Sequence, residues 1–195
     1  MSTSTNTASA NVQRKISTKD MVLCAIFTTL IIIGTFVRIP TPIIPITFQV
    51  MFTTLAGLIL GSRRGGLAVL LYVLLGLAGV PVFTGGGGIG YVFSPTFGYL
   101  VAFIIGAYVA GKMVEQDESN SIKKYAIAST VNLIIIYALG VIYLYLMKNF
   151  YLAAPMSFGK ALWFGMIVPL PSDILGLFMA CLLATRIRPV VKKYL

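Results

Sequence analysis

Asp173 is an acidic side chain inside a long apolar stretch of this 195-residue chain, in the segment Pro169-Leu-Pro-Ser-Asp173. The other four acids lie in polar segments: Asp20, Glu115, Asp117 and Glu118. An ionised carboxylate in hydrocarbon costs at least a few kcal/mol, so such residues usually face a cavity and hold a ligand. Asp173 could instead cap a helix, because Pro171 precedes it and the helix dipole favours a carboxylate near a helix N-terminus. Both interpretations hold together if the last helix restarts after Pro169-Leu-Pro171 and its start faces a cavity.

The residues that most enzymes use for chemistry are scarce in this chain. It contains no histidine, which removes the commonest metal ligand and the commonest general base. Its two cysteines, Cys24 and Cys181, lie inside apolar runs and are interpreted as small packing residues, not as a disulfide or metal site. An intramembrane enzyme using Asp173 is therefore disfavoured, and we expect no catalytic residues, cofactor or metal.

The run Gly85-Gly86-Gly87-Gly88-Ile89-Gly90 matches the G-x-G-x-x-G pattern of dinucleotide-binding proteins. That function needs a preceding strand, a βαβ unit and an acid about 20 residues later, and none is available here. The glycines favour a mobile lid or a close approach of the backbone to a small ligand, with a simple flexible connector as the alternative. No G-x-x-x-x-G-K-[ST] motif occurs, so energy for uphill transport would come from a partner or an ion gradient.

Composition indicates a membrane protein, because 58% of the residues are apolar and 10% are charged. Segments long enough to cross a hydrocarbon core of about 30 Å fall at about 21–37, 46–61, 65–80, 95–111, 125–147 and 162–186. The predicted fold class is an all-α membrane protein with six transmembrane helices. Residues 1–20 are predicted to form a flexible cytoplasmic tail, and residues 21–195 a single six-helix transmembrane domain.

The positive charges predict the orientation of these helices. Twelve of the fifteen Lys and Arg residues lie in the tails and gaps on one side, against Arg38, Lys148 and Lys160 on the other. Cytoplasmic loops carry the excess of Lys and Arg, so both termini are predicted to be cytoplasmic. Topology thus explains the net charge of +10, and no nucleic-acid partner is expected.

The three external connections are predicted to surround a pocket, because they contain most of the proline and glycine. Irregular backbone at membrane depth survives where it is buried in protein or lines a wet cavity. Gln49 lies at the outer end of helix 2, and Tyr91 and Phe93 in the glycine-rich loop are candidates for covering a ligand. Lys160 and Arg38 are the cations nearest the outer mouth.

Other polar and small residues favour helix packing or interface roles. Gly57 and Gly61 have the G-x-x-x-G spacing that lets two membrane helices approach closely, and Asn132 is predicted to form an interhelical hydrogen bond. Trp163 and Tyr151 are interpreted as aromatic residues at the outer membrane interface.

Three separated segments, taken in order, resemble the BioY family, the biotin-binding S subunits of energy-coupling factor (ECF) transporters. They are Pro40-x-Pro42-x-x-Pro45-Ile-Thr-x-Gln49, then Gly76-Leu-Ala-Gly79-Val-Pro81-Val-Phe83 with the glycine run, then Pro95-Thr96-x-Gly98-Tyr99. The resemblance covers about residues 20–190. It implies an S-subunit-like bundle in the cell membrane that captures biotin from outside. The implied partners are a transmembrane T subunit and two cytoplasmic ATPase subunits.

The resemblance also implies a docking site and a ligand site. Family S subunits dock on the T subunit through A-x-x-x-A spacing in helix 1. Here that stretch is Ala25-Ile-Phe-Thr-Thr29, with Thr at the second position. For biotin, Asp173 would accept hydrogen bonds from the ureido N–H groups and Gln49 would bond the ureido carbonyl.

The apolar ring and valeryl chain of biotin suit aromatic and aliphatic side chains, with Phe83, Tyr91 and Phe93 as the candidates. Lys160 is preferred to Arg38 for the ligand carboxylate. A self-sufficient secondary transporter for biotin or another small vitamin is the alternative function, although no internal repeat of the transporter type is evident.

Overall fold

A computed structural model describes residues 17–115 and 120–193, and these ranges form a bundle of helices. The α-helices are α1 (Thr18–Phe36), α2 (Gln49–Leu60), α3 (Ser62–Leu77), α4 (Phe97–Glu115), α5 (Ile122–Leu146), α6 (Phe158–Leu162) and α7 (Leu170–Lys192). Two short antiparallel strands, β1 (Arg38–Ile39) and β2 (Ile46–Thr47), form a hairpin between α1 and α2. A 3-10 turn spans Ile89–Phe93, and π-helical turns span Met147–Tyr151 and Trp163–Ile167. Residues 1–16 of the predicted tail lie outside the described residues.

The predicted all-α class is confirmed, and each of the six predicted apolar segments contains a helix. Within the described ranges, four helical segments are long and apolar enough to cross a membrane: Thr18–Phe36, Phe97–Glu115, Ile122–Tyr151 and Phe158–Lys192. Helix α2 has 12 residues, which correspond to about 18 Å and fall short of a hydrocarbon core. The number of spans and their orientation therefore stay predictions.

Helix α2 lies at the centre of the bundle, where it packs against α1, α3, α4, α5 and α7. Small residues permit this crowding. A Cβ atom added at Gly57 would lie 2.5 Å from the carbonyl oxygen of Ala107 on α4, and one added at Gly111 would lie 2.4 Å from the carbonyl carbon of Gly61. The close helix approach predicted from the Gly57 and Gly61 spacing is confirmed.

Asn132 joins α5 to α2, as the sequence predicted. Its side chain is completely buried, and Nδ2 donates a hydrogen bond to Thr54 Oγ1 at 2.6 Å. Since a polar group inside a membrane protein needs an internal partner, this hydrogen bond fixes the position of α5 along α2.

Asp20 is a second buried carboxyl, which the sequence had placed in a polar tail. Helix α1 begins at Thr18 through a capping box, in which Ser17 and Asp20 bond each other's backbone N–H groups. The Asp20 carboxylate also pairs with Arg64 of α3 at 2.8 Å. Because this pair replaces water as the partner of the charge, Asp20 holds α1 against α3 at the end of the bundle remote from Asp173.

Candidate functional site

The start of α7 places Asp173, and two prolines determine where α7 begins. Pro169 has no N–H, so the carbonyl of Gly165, four residues earlier, lacks its helical donor. The hydroxyl of Tyr99 on α4 donates to that carbonyl at 2.8 Å. A π-helical bond from Val168 N to Trp163 O precedes the break, and α7 then starts at Leu170. The last helix therefore restarts at Leu170, inside the Pro169-Leu-Pro171 segment and not after it as the sequence interpretation had placed it.

Asp173 lies in the first turn of α7 and is 6% exposed. Its Oδ2 accepts a hydrogen bond from the hydroxyl of Tyr137 on α5 at 2.6 Å. Among the described residues Oδ1 has no hydrogen-bond partner, and Asp173 lines a cavity. One carboxyl oxygen is thus held by the protein, and the other is left to accept from a ligand.

The cavity encloses about 550 Å³ of space between atoms when its open mouth is counted. Seven of its fifteen lining residues are apolar: Ile44, Pro45, Val50, Leu100, Phe103, Ile136 and Pro169. Its polar lining residues are Asp173, Gln49, Thr47, Thr84, Thr96 and the tyrosines Tyr91, Tyr99 and Tyr137. Such a lining suits a compact ligand with an apolar body and a small group of N–H donors.

Gln49 is the first residue of α2, and its side-chain amide is held from both sides. Nε2 donates to the hydroxyl of Tyr72 at 2.7 Å, and Oε1 accepts from Thr47 Oγ1 at 3.1 Å. The Tyr72 hydroxyl in turn donates to the Val82 carbonyl at 3.2 Å and lies 3.2 Å from Thr35 Oγ1. Since an amide carries two N–H groups and two lone pairs, one of each remains for a ligand.

Tyr91 covers one side of the cavity, supported by Phe83. The Tyr91 hydroxyl lies 3.1 Å from Thr84 Oγ1 and 3.0 Å from Thr96 Oγ1. Phe83 is 2% exposed and packs its ring 4.6 Å from the ring of Tyr91. Phe83 is not among the residues that line the cavity, and a Cβ at Gly76 would lie 2.0 Å from its ring. Its contacts are with the loop and with α3.

Two other sequence-predicted residues lie away from the cavity. Phe93 is 52% exposed and stacks on Tyr151, with ring centroids 4.9 Å apart. Lys160 is exposed on α6 and is not among the cavity-lining residues. The structure therefore brings Asp173, Gln49 and Tyr91 together around one space and leaves Phe83, Phe93 and Lys160 outside it; their predicted ligand roles stay predictions.

The sequence reasoning missed three tyrosines: Tyr137 and Tyr99, which line the cavity, and Tyr72, which holds the Gln49 side chain. Each is a buried tyrosine inside a mostly apolar helix. A buried hydroxyl needs a hydrogen-bond partner, so a mid-helix tyrosine could have been recognised as a contact of a nearby polar group. Which polar group it contacts could not be read from the sequence.

The predicted docking residues lie on the open side of α1. Ala25 and Thr29 are both exposed, and Thr29 Oγ1 donates back to the Ala25 carbonyl at 2.9 Å. That internal bond satisfies the hydroxyl without a partner from another helix, so the surface between these residues is available for close packing.

Comparisons with known proteins agree with this architecture. A model of the BioY family matches residues 5–193. The probable biotin transporter BioY of Lysinibacillus sphaericus is 41% identical over 176 residues, which cover 90% of each chain. The biotin transporter BioY of Thermotoga maritima is 39% identical over 176 residues, 87% of this chain and 96% of the relative.

A solved structure is similar as well. The crystal structure of the S-component for biotin from an ECF-type ABC transporter superposes with a TM-score of 0.75 at 26% identity. The match covers 88% of this chain and 91% of the other. The resemblance read from the loop motifs is confirmed, and the chain belongs to the BioY family.

Proposed function

We propose that this chain is the biotin-capture S subunit of an ECF-type ABC importer. The observation that carries the proposal is the cavity that a buried carboxyl and an oriented amide both line, together with apolar side chains. The two relatives named above are biotin transporters, and the similar solved structure is an S-component for biotin. The chain binds and delivers its ligand without making or breaking a bond, so it is not an enzyme and needs no cofactor.

Biotin matches the lining of the cavity group by group. One ureido N–H donates to Asp173 Oδ1, and the ureido carbonyl accepts from the remaining N–H of Gln49. The apolar sulfur-containing ring packs against Val50, Leu100 and Phe103. Each of these two hydrogen bonds joins a donor to an acceptor, so the groups that form them remain bonded when the ligand is buried.

The glycine-rich loop acts as the cover of the site. It is ordered by its own bonds, including Gly88 N to Gly76 O at 2.7 Å and the pair of bonds between Phe83 and Gly86. Arg38 Nη1 donates to the Thr84 carbonyl, which connects the β1–β2 hairpin to the loop. Biotin contacts Tyr91 on this loop, and ligand binding favours the closed arrangement.

The membrane arrangement follows from the charge pattern. We propose six membrane helices with both termini in the cytoplasm, because twelve of fifteen Lys and Arg residues lie on that side. Helix α2 enters from the outer side and is shielded by its neighbours, which allows it to be short. The T subunit docks on the exposed α1 face at Ala25 and Thr29, and two ATPase subunits supply the energy.

Uptake into vesicles tests this function against a secondary transporter. Vesicles containing this chain alone should take up no more biotin than empty vesicles do. Vesicles containing the chain with its T subunit and ATPases should accumulate biotin when ATP is supplied, and ATPase subunits unable to hydrolyse ATP are the control. Biotin accumulation by the chain alone, driven by an ion gradient, would contradict the proposal.

A further inference from the structure

The cavity adjoins a larger space, which we name the vestibule. It holds about 1140 Å³, counting its open mouth, and shares four lining residues with the cavity: Pro45, Thr84, Tyr91 and Thr96. Gly85, Gly87 and Gly90 form part of its wall. Because glycine has no side chain, this wall leaves room for a substituent that extends from a ligand in the cavity.

The neck between cavity and vestibule is formed by the hydroxyl groups of Thr84, Tyr91 and Thr96. The Tyr91 hydroxyl lies 3.1 Å from Thr84 Oγ1 and 3.0 Å from Thr96 Oγ1. Ser94 Oγ lies 2.9 Å from Thr96 Oγ1. A neutral hydroxyl donates and accepts, so it bonds a carboxylate and an amide carbonyl alike. The neck can therefore form hydrogen bonds to an acyl group without distinguishing a charged carboxylate from a neutral amide.

Within the described residues, no Lys or Arg lines the cavity or the vestibule. Lys160 lines neither space, and Arg38 has its Nη1 on the Thr84 carbonyl. A site that recognised the ligand carboxylate by its charge would need a cation in one of these two spaces. Asp173 is the one acidic or basic side chain among the described residues that line the two spaces. Its negative charge would repel a carboxylate from the inner end and leave that end to the ureido ring.

We infer that the site selects its ligand by the fused-ring end and accepts amide-linked biotin as well as free biotin; this rests on the proposed function. The ureido ring lies at Asp173, the acyl carbonyl lies in the neck, and the amide substituent extends into the vestibule. The additional cargo class is thus biotin amides, including biotin joined to the side chain of lysine or to a short peptide.

Titration of the purified full chain with three ligands tests the inference: biotin, biotinamide and biotinyl-lysine. The three dissociation constants should agree within about tenfold. An amide that binds more than about tenfold more weakly than biotin would overturn the inference, because a hydrogen bond to a charged group is worth at least that much. If biotin binds and the amides do not, this inference alone fails. If none of the three binds, the proposed function fails and takes the inference with it.

Two matched variants test whether the amide substituent lies in the vestibule. Gly90→Trp fills the vestibule, since a Cβ at Gly90 meets nothing within 4 Å. It should weaken biotinyl-lysine binding by at least about tenfold more than it weakens biotin binding, and the biotin binding that remains shows that the variant is folded. Gly159→Trp is the control, because Gly159 has the same open surroundings and lines neither space, and it should change neither ligand.

Lys160→Gln decides between this inference and recognition of the carboxylate by charge. The ratio of the biotin and biotinamide dissociation constants should stay the same in this variant. Biotin binding weakened by more than about tenfold, with biotinamide binding unchanged, would assign the carboxylate to Lys160 and overturn the inference. Together with the three-ligand titration of the unsubstituted chain, this comparison is decisive even if Gly90→Trp does not fold.

Discussion

Replacing Asp173 with Asn should weaken biotin binding by roughly 10–150-fold, or about 1.5–3 kcal/mol. A carboxylate offers only acceptors, and Tyr137 occupies one of its two oxygens. Asparagine retains one acceptor, which Tyr137 holds, and turns an NH₂ group toward the ureido N–H groups. Donor then faces donor in a buried place, so the bond is lost and the ligand keeps an unsatisfied group.

Asp20→Asn is the matched control for this substitution. Asp20 is equally buried, at the opposite end of the bundle, and its carboxylate pairs with Arg64 at 2.8 Å. The Asp20 variant should lose stability and keep its biotin affinity within about twofold. Both variants are measured by titration of purified, folded protein in detergent. Unchanged affinity in Asp173→Asn would remove Asp173 from the ligand site.

Replacing Gly106 with Ala should destabilise the protein by about 1–3 kcal/mol, because the added methyl group overpacks the core. A Cβ at Gly106 would lie 1.8 Å from Asn132 Oδ1, far inside van der Waals contact. Asn132 cannot move aside freely, since it is completely buried and its Nδ2 is bonded to Thr54. The methyl group must therefore push α4 away from α5 or break the Asn132–Thr54 bond.

Thermal unfolding in detergent measures this effect, with Gly66→Ala as the control. Gly66 is also a buried helical glycine, but its nearest neighbour atom would be 3.5 Å from the new Cβ, an ordinary contact. Alanine in a helix is more favourable than glycine by up to about 1 kcal/mol, so the Gly66 variant should unfold at the same or a higher temperature than the unsubstituted protein. A Gly106 variant that unfolds no earlier than the unsubstituted protein would show that α4 and α5 are packed differently.

The sequence predicted those site residues that can be recognised from their own type and from their neighbours in the sequence. Asp173 was identifiable because a carboxyl in an apolar segment is costly, and the break before it followed from two prolines. Gln49 was found because it follows the proline-rich hairpin, and Tyr91 because it lies among glycines. All three line the cavity.

The sequence could not predict which way each helix is turned. These helices are apolar on most faces, so hydrophobic periodicity does not distinguish the packed face from the lipid-facing one. The hydrogen bond between Tyr137 and Asp173 joins residues that are 36 positions apart and lie on different helices, and no local pattern indicates it. The same limit explains Lys160, which was selected for its charge and depth, whereas its side chain is exposed on α6 and lies outside the cavity-lining set.

Burial of Asp20 and the hairpin of β1 and β2 were missed for a related reason. Asp20 is buried because Arg64 reaches it from another helix, and the hairpin pairs Arg38 with Thr47 across a proline-rich loop. Each is a contact between segments that the sequence alone places in separate regions. Helix α2 is short for the same cause, since its neighbours, and not lipid, surround it.

Whether the cavity holds biotin is tested most directly by mass spectrometry of the purified full chain after denaturation. Protein produced in biotin-containing medium should release biotin in a nearly one-to-one ratio, and Asp173→Asn should release much less. A purified chain that releases no biotin, and that takes up none when biotin is added before the denaturation step, would contradict the account.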